Sequence, residues 1–171
     1  MAGNTSRRRT PHPFLQVLRD IALLLARIGL GGILIAHGWR RWQHLGVQSQ
    51  IDYLRQFGTP YPEVAAYGAT LLELVGGIFL IVGALTPLVA LAVLVQQVLT
   101  ISYTNYFRGR YLTDLQGNYV GGYEYNVALG VLALVFVVFG AGRASVDQLF
   151  RRTPSEEDGE VEAENRAPSY F

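Results

Sequence analysis

Four apolar runs, Ile21–Trp39, Val64–Leu85, Leu88–Tyr103 and Gly121–Gly142, are set apart by segments that hold most of the charge. Each is close to the length of about 20 residues that a helix needs to cross bilayer hydrocarbon. The second and third runs are almost continuous. Thr86-Pro87 divides them, because proline lacks an amide hydrogen and disfavours helix at the residue before it. The pattern predicts an all-α fold: an integral membrane four-helix bundle forming one domain over residues 20–150. A basic tail, 1–19, precedes it. An acidic tail, 151–171, follows, and from Pro154 its run of Ser155-Glu156-Glu157-Asp158-Gly159-Glu160 is too polar to build a core and reads as disordered.

Composition alone would fit a soluble domain, with 50% apolar and 16% charged residues. The placement of the charges decides for the membrane. Arg7, Arg8 and Arg9 ahead of Ile21–Ala36 resemble a signal peptide, but the run carries Arg27 and ends in His37-Gly38-Trp39 with no small-x-small cleavage pattern. The expectation is an uncleaved first span. All fourteen basic residues are arginine. Arg7, Arg8, Arg9, Arg19, Arg143, Arg151 and Arg152 flank the side of the termini, and Arg40, Arg41, Arg55, Arg108 and Arg110 flank the other. That bias predicts cytoplasmic termini. The longer loops, Arg40–Glu63 and Thr104–Val120, then face outward. Tyr103, Tyr106, Phe107, Tyr111, Tyr119 and Tyr123 suit an interfacial belt there. The expected partners are the lipid bilayer and a second copy of the chain, with no nucleic acid.

Cysteine is absent, which excludes disulfides, thiol chemistry and a thiolate-held iron–sulfur cluster. The histidines are His12, His37 and His44. His37 and His44 share a helix face about 10 Å apart, so one helix cannot offer both to opposite faces of a haem iron. No metal, haem or cluster is predicted.

Arg27, Glu73 and Glu124 remain as ionisable groups inside apolar runs. A charge near mid-bilayer costs a few kcal/mol or more, so it faces the bundle interior and pairs. Ala66, Ala69, Glu73, Gly76, Gly77, Leu80 and Ala84 fall on one helical stripe, and small residues there allow close helix approach. Glu73 is thereby expected inside. Arg27, about 10 Å from the inner end of its run, and Glu73, about 14 Å from the outer end of its own, come to similar depths. They are the expected pair, with Gln96 and Gln97 beside them. A purely structural ion pair and an Arg27 that snorkels to the cytoplasm are the alternatives. Nearer the outside, His37 and Glu124, with Tyr123, Tyr125 and Asn126, could relay protons or merely bind interfacial water. The two layers outline a polar cavity open outward and closed at mid-membrane.

Arg27-Ile28-Gly29-Leu30-Gly31 running to His37-Gly38 resembles the opening helix of the DoxX family. Gly58-Thr59-Pro60-Tyr61-Pro62, Glu73-Leu74-Val75-Gly76-Gly77 and Gly83-Ala84-Leu85-Thr86 are similar to its middle. Gly122-Tyr123-Glu124 and Gly140-Ala141-Gly142-Arg143-Ala144-Ser145-Val146-Asp147 are similar to its last helix and glycine-rich end. The resemblance covers about residues 20–150. It implies a four-helix inner-membrane bundle, in a family named for a subunit of an archaeal thiosulfate:quinone oxidoreductase. In mycobacteria, DoxX-like proteins are linked to a membrane complex with a superoxide dismutase and a sulfurtransferase. Arg40-Arg41 depart from the lysine that often follows the first helix. One expectation is a quinone-linked subunit with redox partner proteins, in which Arg27, Gln96 and Gln97 bind the quinone and Glu73, His37 and Glu124 pass its protons. The other is a non-enzymatic scaffold or a carrier of a small solute or protons.

Overall fold

The computed structural model describes residues 13–118 and 120–148; most of the N-terminal tail with His12, Tyr119 and the acidic tail lie outside the described residues. Helix α1, Pro13–Trp39, starts earlier than the expected Ile21, at a proline in the first turn, where its missing amide hydrogen costs nothing. It also ends later. A wide π-type turn, Arg40–Leu45, carries the helix on, giving a rod of 32 residues, Phe14–Leu45, that stops at Gly46 with φ 75°. The expected outer loop then holds a helix of its own, α2, Val47–Gln56, packed on α3, Pro62–Leu71. A second π-type turn, Leu72–Gly76, joins α3 to α4, Gly77–Val82. Together Pro62–Val82 form one span of 21 residues.

Helix α5, Thr86–Tyr103, is the third span; Thr86-Pro87 divides the runs as expected but forms the first turn of the helix, ahead of the expected Leu88. Helix α6, Glu124–Phe139, is 16 residues, shorter than the expected Gly121–Gly142. Gly140 and Gly142 cut it off, each at a positive φ that residues with a Cβ rarely adopt. Among the described residues there is no strand. The all-α membrane bundle is thus the fold, with three helices long and apolar enough to cross a bilayer and a shorter apolar fourth.

Helix α1 packs along the broken span α3–α4, and α5 along α6. Leu30, Leu34, Leu80, Val93, Ala133 and Phe136 fill the middle, all essentially inaccessible. Leu25, Ile78, Leu91 and Val131 point outward, as side chains facing lipid should. The stripe on the second span is buried as expected at Ala66, Glu73, Gly76, Gly77 and Leu80. Its tightest point is Gly77 against Gly31, where a Cβ on Gly31 would sit 2.6 Å from the Gly77 carbonyl oxygen. Backbones touch there because neither residue has a side chain.

At the end of the bundle nearest both termini, Leu85 takes a left-handed conformation, φ 50°, which costs a residue with a Cβ about 1–2 kcal/mol. Asp147 offsets it. Its carboxylate accepts from Leu85 N–H at 2.7 Å and Thr86 N–H at 3.0 Å, capping α5 from a distant part of the chain. At the opposite end, the loop before α6 is closed by Asp114, which accepts from Asn118 and from the Gln116 backbone. Those donors, Asn118 foremost, hold the Asp114 carboxyl below its ordinary range.

Candidate functional site

The bundle separates towards the end remote from the termini and encloses a cavity of about 690 Å³, within the usual range for small-molecule sites. His37, Arg40 and Arg41 come to its wall from the first span, Glu73 from the second, Gln96 and Gln97 from α5, and Tyr125 and Asn126 from α6. Gln50 and Tyr53 of α2, with Thr104 and Arg108, also line it.

Glu73 is the centre of this wall. It is 5% exposed, and its two oxygens have different partners. Arg41 Nη1 lies 2.9 Å from Oε2, and Gln96 Nε2 donates to Oε1 at 2.8 Å. The first contact is an ion pair without a well-directed hydrogen bond, so Arg41 Nη1 and Glu73 Oε2 each retain unused hydrogen-bonding capacity. Gln96 Oε1 is also buried with no hydrogen-bond partner. Both members of the ion pair sit on π-type turns, Arg41 in Arg40–Leu45 and Glu73 in Leu72–Gly76. Such turns inside α-helices frequently mark functional sites, since the extra residue re-aims its neighbours.

The expected Arg27–Glu73 pair does not form. A Cβ on Gly38 would sit 3.0 Å from the Glu73 Cβ, which sets the register of the two spans. Arg27 lies eleven positions earlier, about 16 Å down the axis. It is buried at the other end, bonded through Nη2 to the Ala144 carbonyl and packed against Gly83. The depths had been counted from Ile21 and Val64, whereas the helices run to Pro13 and Pro62, so apolar runs were poor rulers. Arg27 is therefore outside the cavity.

Gln97 joins a second polar row. Asn126 Nδ2 donates to Gln97 Oε1 at 2.8 Å, Asn105 Nδ2 donates to Asn126 Oδ1 at 2.6 Å, and Thr104 Oγ donates to Asn105 Oδ1 at 3.2 Å. His37 Nε2 lies 3.0 Å from the Tyr125 hydroxyl. Glu124 does not join His37. It is exposed, and Oε1 accepts from Leu112 N–H at 2.9 Å, fastening the preceding loop. The structure thus gathers His37, Glu73, Gln96 and Gln97 and leaves Arg27 and Glu124 out.

Arg41, Asn105 and Thr104 are site residues that sequence reasoning missed. The signal for Arg41 was its i+4 spacing from His37, unused because the helix was ended at Trp39. Among the described residues, no group of three His, Cys, Asp or Glu converges as metal ligands.

The model of the DoxX family matches residues 22–106, which take in the later two thirds of α1, all of α2 to α5 and the Glu73–Arg41–Gln96 wall. The chain belongs to the DoxX family. It is 29% identical over 136 residues to inner membrane protein YphA of Escherichia coli K12, a match covering 76% of this chain and 91% of that protein. No solved structure matches. With its long apolar helices, the DoxX chain is a multi-pass membrane protein of the bacterial inner membrane.

Proposed function

We propose that this DoxX protein is a quinone-linked subunit of an inner-membrane redox complex, with both termini cytoplasmic. The observation that carries the reading is the buried Glu73 carboxylate on the wall of a 690 Å³ cavity, with unused hydrogen-bonding capacity on Glu73 Oε2, Arg41 Nη1 and Gln96 Oε1. These groups fit a quinone head, whose oxygens accept hydrogen bonds when oxidised and carry O–H donors when reduced. Arg41 would hold one ring oxygen, and the Gln96 carbonyl would receive a ring O–H. When bound, the quinone supplies a two-electron acceptor. Reduction to the quinol takes up two protons with the two electrons. Glu73 would pass them to the ring oxygens one after the other, each replaced from the outer surface through His37 and Tyr125. The chain has no cysteine, so the electrons come from a partner polypeptide or a small reductant such as thiosulfate. Arg27, first expected to bind the head group, has no part in this reading.

The test is donor-dependent reduction of a short-chain quinone by membranes containing the protein, with amounts matched by immunoblot. Glu73→Gln preserves a hydrogen-bonding side chain but removes the titratable carboxyl that passes protons to the quinone, and activity is expected to fall about 100-fold or more. His37→Ala should reduce it less, because water can replace an outer relay group. Wild-type membranes without chain-dependent quinone reduction would sink the enzymatic reading. A scaffold gives a different result: every point variant stays active, and only loss of the whole chain abolishes complex assembly.

The second reading, a carrier of a small solute or protons, rests on the row Gln97–Asn126–Asn105–Thr104, which leads from the cavity to the outer end of α5. Proton flux in vesicles without a redox donor would favour it.

A further inference from the structure

We infer that the ligand enters this cavity sideways, from the bilayer, between α3 and α5, and carries a long apolar tail behind a polar head. The inference deepens the quinone reading above and rests on it for the head group. Its basis is the way the second and third spans part. Helix α5 packs against the turn Leu72–Gly76 and against α4, but makes no more than marginal contact with α3. Beyond Glu73, then, the two spans diverge. The walls of the gap are small on one side, Ala65, Gly68 and Ala69, and apolar on the other, Ala92, Val95 and Leu99, and all six line the cavity.

Val95 and Leu99 are also about half exposed, and Gly68 is exposed, so the gap reaches the outer surface of the bundle. On a membrane helix that surface meets hydrocarbon chains. Small residues in such helices ordinarily let another helix come close. No atom lies within 4 Å of a Cβ built on Gly68, so space is left where a neighbouring helix would pack. The far wall of the same cavity is polar, with the nine-tenths-buried Glu73, its Oε2 in an ion pair with Arg41 but without a well-directed hydrogen bond, beside Gln96. A slot that is apolar and narrow at the lipid and polar at its depth matches a polar head on an apolar tail. Entry from water would instead pass Arg40, Arg41 and Arg108.

Two measurements test this in liposomes with the full-length protein. The chain lacks native cysteine, so a spin label on Ala69→Cys reports one site. Its collisions with oxygen, which concentrates in lipid, should come within about twofold of a label at the outward-facing Val131→Cys, and should exceed those with a water-soluble nickel chelate. Low collision with both reagents, or dominance of the chelate, overturns the portal whatever the ligand is. Gly68→Trp then plugs the gap where space exists. Photolabelling by a long-tailed azidoquinone should drop at least tenfold, while labelling by its tail-less, water-soluble counterpart stays unchanged. Equal loss of both, or no loss of the tailed compound, overturns the proposal. If neither compound labels the wild type, the quinone reading and the tailed ligand built on it fall, and the spin label alone decides the route of entry.

Discussion

A carboxylate taken out of water costs several kcal/mol unless its charge is met. Glu73 meets that cost with Arg41 at 2.9 Å and Gln96 at 2.8 Å. Removing one partner of such a pair leaves the other exposed to the full penalty. Glu73→Ala is therefore expected to destabilise the detergent-solubilised protein by about 3 kcal/mol. Adding Arg41→Leu should recover part of the loss, and adding Arg27→Leu should recover none, since Arg27 answers to Ala144 at the other end of the bundle. Thermal unfolding of the singles and doubles gives the coupling energy directly. A coupling of Glu73 to Arg27 larger than to Arg41 would show that the spans are in a different register. Glu73 was recognisable in the sequence because a carboxylate on a stripe of small residues has no packing purpose that leucine would not serve as well. Its partner was not, because a depth count from the ends of the apolar runs puts Arg27 level with Glu73, and only the true helix ends bring Arg41 there instead.

Among the elements, the first two spans show how little separates a tolerated glycine from a required one. Gly31 and Gly77 stand backbone to backbone, whereas a Cβ on the adjacent Gly32 meets nothing within 4 Å. Gly31→Ala must push the helices apart, at about 1–3 kcal/mol for overpacking. Gly32→Ala should be neutral or stabilising by up to about 1 kcal/mol, since alanine favours helix over glycine. Equal melting temperatures for the two variants would contradict the close contact. The apolar runs were legible because a bilayer offers the backbone no hydrogen-bonding partner, and hydrophobic length must answer that. The π-type turns at Arg40–Leu45 and Leu72–Gly76 leave no comparable mark, because one extra residue per turn barely alters periodicity. The same blindness hid Arg41, placed beyond a helix end that is not there. It also hid α2, whose polar residues read as loop although Ile51 is buried beneath it.

For the whole molecule, the arrangement of arginine predicts which end faces the cytoplasm. Single cysteines at Ser49 and Thr113 should react with an impermeant thiol reagent on intact spheroplasts, and one at Ser155 should react only after lysis. The reverse pattern would invert the protein and turn its cavity towards the cytoplasm. Both ends of the bundle are fastened, but by different means. The cavity end is held by Asp114 and Glu124, which fasten the loop before α6, while the other end is closed by Asp147 reaching back to Leu85 and Thr86. That second fastening has a consequence for how the protein is made. The clasp is 61 residues downstream of the helix it caps, so α5 leaves the ribosome and meets the translocon before its own cap has been synthesised. Until Asp147 emerges, the start of α5 has two amides unanswered and Leu85 has nothing to hold its strained backbone. Insertion of the spans and final closure are consequently separate events in biogenesis. A nascent chain stalled just after α6 would have all its spans but lack the latch at Asp147.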